Sequence, residues 1–133
     1  MIAANKKIER LMLAMTDFEG WTPPNKNTPK GGSMSYRNHN PGNLRNSPFA
    51  SSTQDGFAVF RSDFVGFMAF HWDLMQKAHG NTVTGLNGKS TLRELIYKWA
   101  PPNDNNDTEK YLQYVILKSE LNANTTLNEI FAM

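Results

Sequence analysis

Apolar positions recur along the chain with a period that changes from segment to segment, and the changes mark the elements. Over residues 5–19, Ile8, Leu11, Met12 and Met15 repeat at the spacing of one helix face, and Gly20 supplies the stop. Residues 22–32 mix Pro, Asn, Lys and Gly without periodicity and read as a loop. Phe57, Ala58, Val59 and Phe60 follow Asp55 and Gly56 as a short strand, expected to pair with residues near Tyr36. Ser62 then offers an N-cap to a central helix whose stripe is Phe64, Phe67, Met68, His71, Leu74, Met75 and Ala78. Thr91 with Glu94 has capping-box spacing ahead of Leu92, Leu95, Ile96 and Trp99, and Pro101 and Pro102 end that helix. Asn106 with Glu109 repeats the spacing before Tyr111, Leu112, Val115 and Ile116, and Thr126 with Glu129 starts a last short helix. The pattern predicts a mainly α (α+β) chain with a small β element inserted after the first long helix.

Composition narrows the function classes. At 133 residues the chain has the size of one ordinary domain, so a single domain over 1–133 is expected. With Cys 0, no disulfide framework, zinc thiolate site or thiol nucleophile is available. No spacing joins His to acidic residues as a metal site needs, so neither metal nor cofactor is expected. A formal net charge of +2 lacks the signature of a nucleic-acid binder, while a pI near 8.9 suits an anionic cell-wall target. No apolar run is long enough to span a bilayer, and the N-terminal residues lack the apolar core of a secretory signal. Membrane insertion is therefore not expected, and an extracytoplasmic substrate would require another carrier.

Two features carry candidate chemistry. Glu19 lies about three turns beyond Ile8 and returns to the face of Leu11, Met12 and Met15 by the ~3.6-residue repeat, and a carboxyl that points inward there can hold and donate a proton to a leaving oxygen. The alternative is a helix-end Glu that turns to solvent beside Gly20. Downstream, residues 35–45 (SYRNHNPGNLR) gather amides, an aromatic ring and two guanidinium groups around a forced turn. In that turn Pro41 fixes one backbone angle and Gly42 permits a positive one, presenting Asn40 and Asn43. Carboxamides donate and accept together, which matches sugar hydroxyls and N-acetyl groups; Tyr36 can stack on a sugar face, and Arg37 or Arg45 can pair with a carboxylate. The competing reading is a good turn whose amides bond their own backbone. His71 reads as a core histidine, and Phe67, Phe70, Trp72 and Trp99 as core aromatics. Neither Asp55 nor Asp63 has a context that marks a second catalytic carboxylate, so the two-acid glycosidase arrangement is not visible.

The ordered set of Phe18, Glu19, Gly20 and Trp21, then Ser33 with SYRNHNPGNLR, then GFAVF at 56–60 with Gly66, then WAPP at 99–102 through Asn106, Asp107, Thr108 and Tyr111 resembles the phage-associated lytic transglycosylases of the lysozyme-like superfamily. The likeness spans about residues 8–115. It implies a lysozyme-like helical domain in which Glu19 is the catalytic glutamate. It also implies a glycan cleft with Ser33, Tyr36, Arg37, Asn40, Asn43, Phe57, Phe60 and Tyr111 as substrate-binding residues. The implied substrate is the glycan strand of peptidoglycan, cut between N-acetylmuramic acid and N-acetylglucosamine to leave a 1,6-anhydro end. The implied setting is a phage virion or the host cell wall and periplasm, with other virion proteins as further partners. A hydrolytic muramidase and a non-catalytic wall-binding or virion module are the alternatives.

Overall fold

The computed structural model describes residues 5–28 and 30–132, about half of them helical, with one two-stranded antiparallel sheet. In order the elements are α1 (Lys6–Phe18), α2 (Met34–Arg37), β1 (Ser52–Gln54), β2 (Phe57–Val59), α3 (Asp63–Ala78), α4 (Leu92–Trp99), a 3-10 turn (Pro102–Asp104), α5 (Thr108–Ser119) and α6 (Leu127–Phe131). The chain is therefore mainly α with a small β element, as the periodicity predicts. The described residues divide into two compact units, one within residues 15–73 and one of residues 5–14 with 74–132.

In the 15–73 unit, α1 ends through its own backbone. Gly20 takes φ 84°, its N–H reaches Asp17 O at 3.1 Å, and Trp21 N–H reaches Thr16 O at 3.2 Å. This Schellman closure makes Glu19 the C-cap and turns Trp21 back toward the helix. The strands meet through Asp55 and Gly56, both at positive φ (51° and 84°), the backbone that a two-residue hairpin turn favours. The partner of β2 is β1, in the register Thr53 opposite Ala58, and not the Tyr36 segment expected from sequence. That segment still touches the strand's other side, since Ala58 N–H reaches Leu44 O and Phe60 N–H reaches Asn38 O, each at 2.9 Å.

Helix α3 begins at the expected cap, with Val65 N–H on Ser62 Oγ at 3.2 Å. Leu74 and Ala78 of the expected stripe are buried, but in the first turns the buried face is rotated: Gly66, Ala69 and Phe70 are buried, whereas Phe64 is 65% exposed, and Trp72, expected as a core aromatic, is 39% exposed. A helix that is apolar nearly all round gives its periodicity no clear direction, and close packing decides instead. A Cβ on Gly66 would stand 1.9 Å from His39 O, and one on Gly42 would stand 2.7 Å from the Phe70 ring. The two glycines let the 39–42 backbone lie directly on α3.

In the other unit both sequence-predicted capping boxes at Thr91 and Thr126 are formed. A bridge between Thr91 and Thr126 joins the starts of α4 and α6, and Leu127 N–H reaches Ser90 O at 2.8 Å. The box expected at Asn106 is not formed. Helix α5 begins one residue later, with Asp107 as N-cap for Lys110 N–H, because Thr108 is buried and donates its hydroxyl to Ala100 O. Asn106 instead donates to Pro101 O at 3.0 Å. The later start directs Glu109 outward, where one oxygen accepts from Tyr97 Oη and Arg93 Nη1, both at 2.7 Å, and the other accepts from Gln113 Nε2 at 2.8 Å. These donors, Tyr97 foremost and then Gln113 and Arg93, hold the Glu109 carboxyl down at about 2.

Candidate functional site

The 15–73 unit brings the two sequence candidates together. Glu19, half-buried at the α1 C-cap, accepts from Asn43 Nδ2 at 3.3 Å across a sequence separation of 24 residues. Asn43 arrives there from a turn closed by its own N–H on Asn40 O at 3.0 Å. The positive angle expected at Gly42 lies one residue later, at Asn43 itself, with φ 50°. Gly42 has a steric role instead, because the Phe70 ring leaves no space for a side chain. Asn tolerates the left-handed conformation better than other side-chain residues do, so Asn43 can hold the angle and still present an amide.

Asn40, expected as a substrate contact, serves the turn itself. It is fully buried; its Nδ2 donates to Leu44 O at 2.8 Å and Ala58 O at 2.9 Å, and its Oδ1 accepts from Leu44 N–H at 2.9 Å. Both amide donors are spent on main chain, so none faces a ligand. Ser33 is also committed to the backbone. Its Oγ accepts from Thr22 N–H at 3.0 Å and caps α2 through Tyr36 N–H, stitching the end of the 22–32 loop to the helix.

Trp21 connects this arrangement to a row of rings. It stands edge-on to Tyr36, with centroids 5.0 Å apart, and to Phe67, 5.6 Å apart. Tyr36 and Phe67 are half-buried, so neither is lost to the interior. Phe67 was expected in the core and Trp21 carried no assigned role; the signal for Trp21 was its place one residue after the helix-stopping glycine. Arg37 is exposed at the end of α2, with its aliphatic stem against Gly31. Phe57 is half-buried beneath the Arg45 guanidinium, 4.7 Å from its ring centroid.

Two further sequence candidates do not face a ligand. Phe60 is a core residue because Ala58 and Phe60 alternate inward along the strand and its continuation. Tyr111 is buried on the inner face of α5, in the other unit. Of the acidic residues considered as a second carboxylate, Asp63 pairs with His39 Nδ1 at 2.7 Å and Asp55 sits in the exposed hairpin turn. His71 is half-buried on α3, and burial pulls its imidazole below its ordinary value.

Among the described residues, no group of three His, Cys, Asp or Glu side chains can hold a metal ion, and no helix is long and apolar enough to cross a membrane. The site thus offers one carboxyl held beside an amide donor, with an aromatic wall close to it in the chain. Such a group can give a proton to a leaving oxygen and take one back. Compared with known proteins, the chain matches no family model, no curated protein and no solved structure.

Proposed function

We propose that the chain is a peptidoglycan lytic transglycosylase with a lysozyme-like fold, in which Glu19 acts first as general acid and then as general base. The observation that carries the reading is the contact between Glu19 and Asn43, which joins the helix-end carboxyl to the amide-rich turn. The motif order shared with the phage-associated transglycosylases supports it. So does the row of Tyr36, Trp21 and Phe67, whose ring faces suit a pyranose.

In this mechanism protonated Glu19 gives its proton to the glycosidic oxygen as the bond from that oxygen to the muramyl anomeric carbon breaks. The resulting carboxylate then accepts the proton of the muramyl C6 hydroxyl while that oxygen bonds to the anomeric carbon. The products are a 1,6-anhydromuramyl end and a free 4-hydroxyl on N-acetylglucosamine. One carboxyl suffices because the substrate supplies its own nucleophile, consistent with the engagement of Asp63 by His39.

The test is to digest purified sacculi and weigh the released muropeptides by mass spectrometry. Anhydro ends are expected. Reducing ends without anhydro sugars would convert the reading to a hydrolytic muramidase, and sacculi that bind the protein but stay intact would make it a wall-binding module.

A further inference from the structure

We propose that Asn43 is a positioning residue, whose side chain fixes the orientation of the Glu19 carboxyl and does not itself bind the glycan. The proposal rests on the reading of Glu19 as the proton donor, and four observations lead to it.

First, Asn43 occupies the left-handed region at φ 50°, where glycine costs least. A side chain kept at such a position needs a use. Second, the turn does not depend on that side chain, because the backbone bond to Asn40 O and the buried Asn40 amide already hold it. Third, the Nδ2 end of the amide is directed at Glu19 Oε1, whereas Oδ1 is buried and has no hydrogen-bond partner. A carbonyl out of contact with solvent cannot accept from a sugar hydroxyl, and a buried acceptor left unpaired is a cost that the turn alone would not select. Fourth, the backbone carrying Asn43 is seated on α3 by the close approaches at Gly42 and Gly66, so its reach to Glu19 is set by packing.

The charge sense of the contact agrees with the second half of the mechanism. An N–H donor serves the ionised carboxylate, the form in which Glu19 takes the C6 proton. The charged and titratable groups on the segments that carry or adjoin the pair are Asp17 on α1, Tyr36 and Arg37 on α2, His39, and Arg45 just beyond the turn. Arg45 lies over the Phe57 ring and His39 is paired with Asp63.

The experiment uses the full chain in two parts. In nitrogen–proton NMR spectra, the side-chain amide of Asn43, assigned by its loss in Asn43→Gly, should shift when Glu19 is replaced as Glu19→Ala. An unmoved resonance overturns the proposal whether or not the protein cuts glycan. In steady-state kinetics on a soluble glycan fragment, Asn43→Gly should lower kcat at least ~10-fold with KM changed less than about threefold, since orientation is lost and substrate contacts are kept. Asn43→Asp keeps the size of the side chain and the tolerance of the angle but replaces the donor with a carboxylate that repels ionised Glu19, so kcat should fall there too, with KM changed less, even if glycine loosens the turn. A raised KM with unchanged kcat in either variant would make Asn43 a sugar contact and overturn the proposal. A wild-type protein that leaves glycan intact would defeat the transglycosylase reading, and the amide resonance would still decide the contact.

Discussion

Asn40 and Asn43 stand three positions apart in one turn, yet they meet opposite conditions, and substitution should separate them. Asn40→Ala strands two buried main-chain groups, Leu44 N–H and Ala58 O, while Leu44 O keeps the Ala58 N–H, and at ~1–3 kcal/mol each the loss should take a large share of the stability of a small domain. Urea denaturation should show a large drop in midpoint, and the folded fraction should bind sacculi as wild type does. Glu19→Gln is nearly isosteric at a C-cap whose closure is made by backbone atoms, so melting should be little changed. Turbidity clearing of cell-wall suspensions should nevertheless fall at least ~10²-fold, the low end for losing a general acid. Retention of wild-type clearing would remove Glu19 from the mechanism. At these residues the sequence was informative about chemistry and not about allocation. Both amides matched a sugar site, but whether an amide is spent on Ala58 O or directed at Glu19 depends on contacts 18 and 24 residues away.

Helix starts and stops were readable because caps are local. The boxes at Thr91 and Thr126 and the stop at Gly20 formed where spacing put them, while the box at Asn106 gave way to a buried Thr108 that spacing alone does not reveal. The orientation of α3 was legible at Leu74 and Ala78 but not in its first turns, where apolar residues surround the helix and a backbone approach to His39 chooses the face. Gly66→Ala should accordingly destabilise by about 1–3 kcal/mol, against the roughly 1 kcal/mol gain that the change brings in an ordinary helix interior. A denaturation midpoint equal to or above wild type would mean that α3 can move away from the turn. Between α4 and α5, Glu109 has a folded value of about 2, below the ordinary 4.5. Its contribution is therefore fully present above the unfolded value and is lost as pH falls through about 2. Melting curves of wild type and Glu109→Gln should differ most above about pH 5 and converge toward pH 2. A constant gap across that range would show that the carboxylate does not brace the two helices.

With 14 Lys and Arg against 12 Asp and Glu, the chain has little net field, so the wall binding that the proposed function requires would come from short-range contacts. Pelleting with sacculi should thus change less than about tenfold between ~50 and ~500 mM salt, whereas a polybasic binder would be released. Fold class was accessible from the chain because periodicity and caps suffice for a mainly helical architecture with one hairpin. The three-dimensional site was accessible only in outline, as Glu19 near an amide turn. The aromatic row beside it came from a tryptophan that the Gly20 reversal directs toward Tyr36. That placement also makes Trp21 an optical gauge. Its indole lies two residues from Glu19 and edge-on to Tyr36, while Trp72 lies on the exposed face of α3 and Trp99 beneath the Lys77 ammonium. Once those two are replaced by phenylalanine, ultraviolet emission arises from the Trp21 indole, and, on the proposed function, a glycan bound near Tyr36 should change its colour and brightness without an added dye.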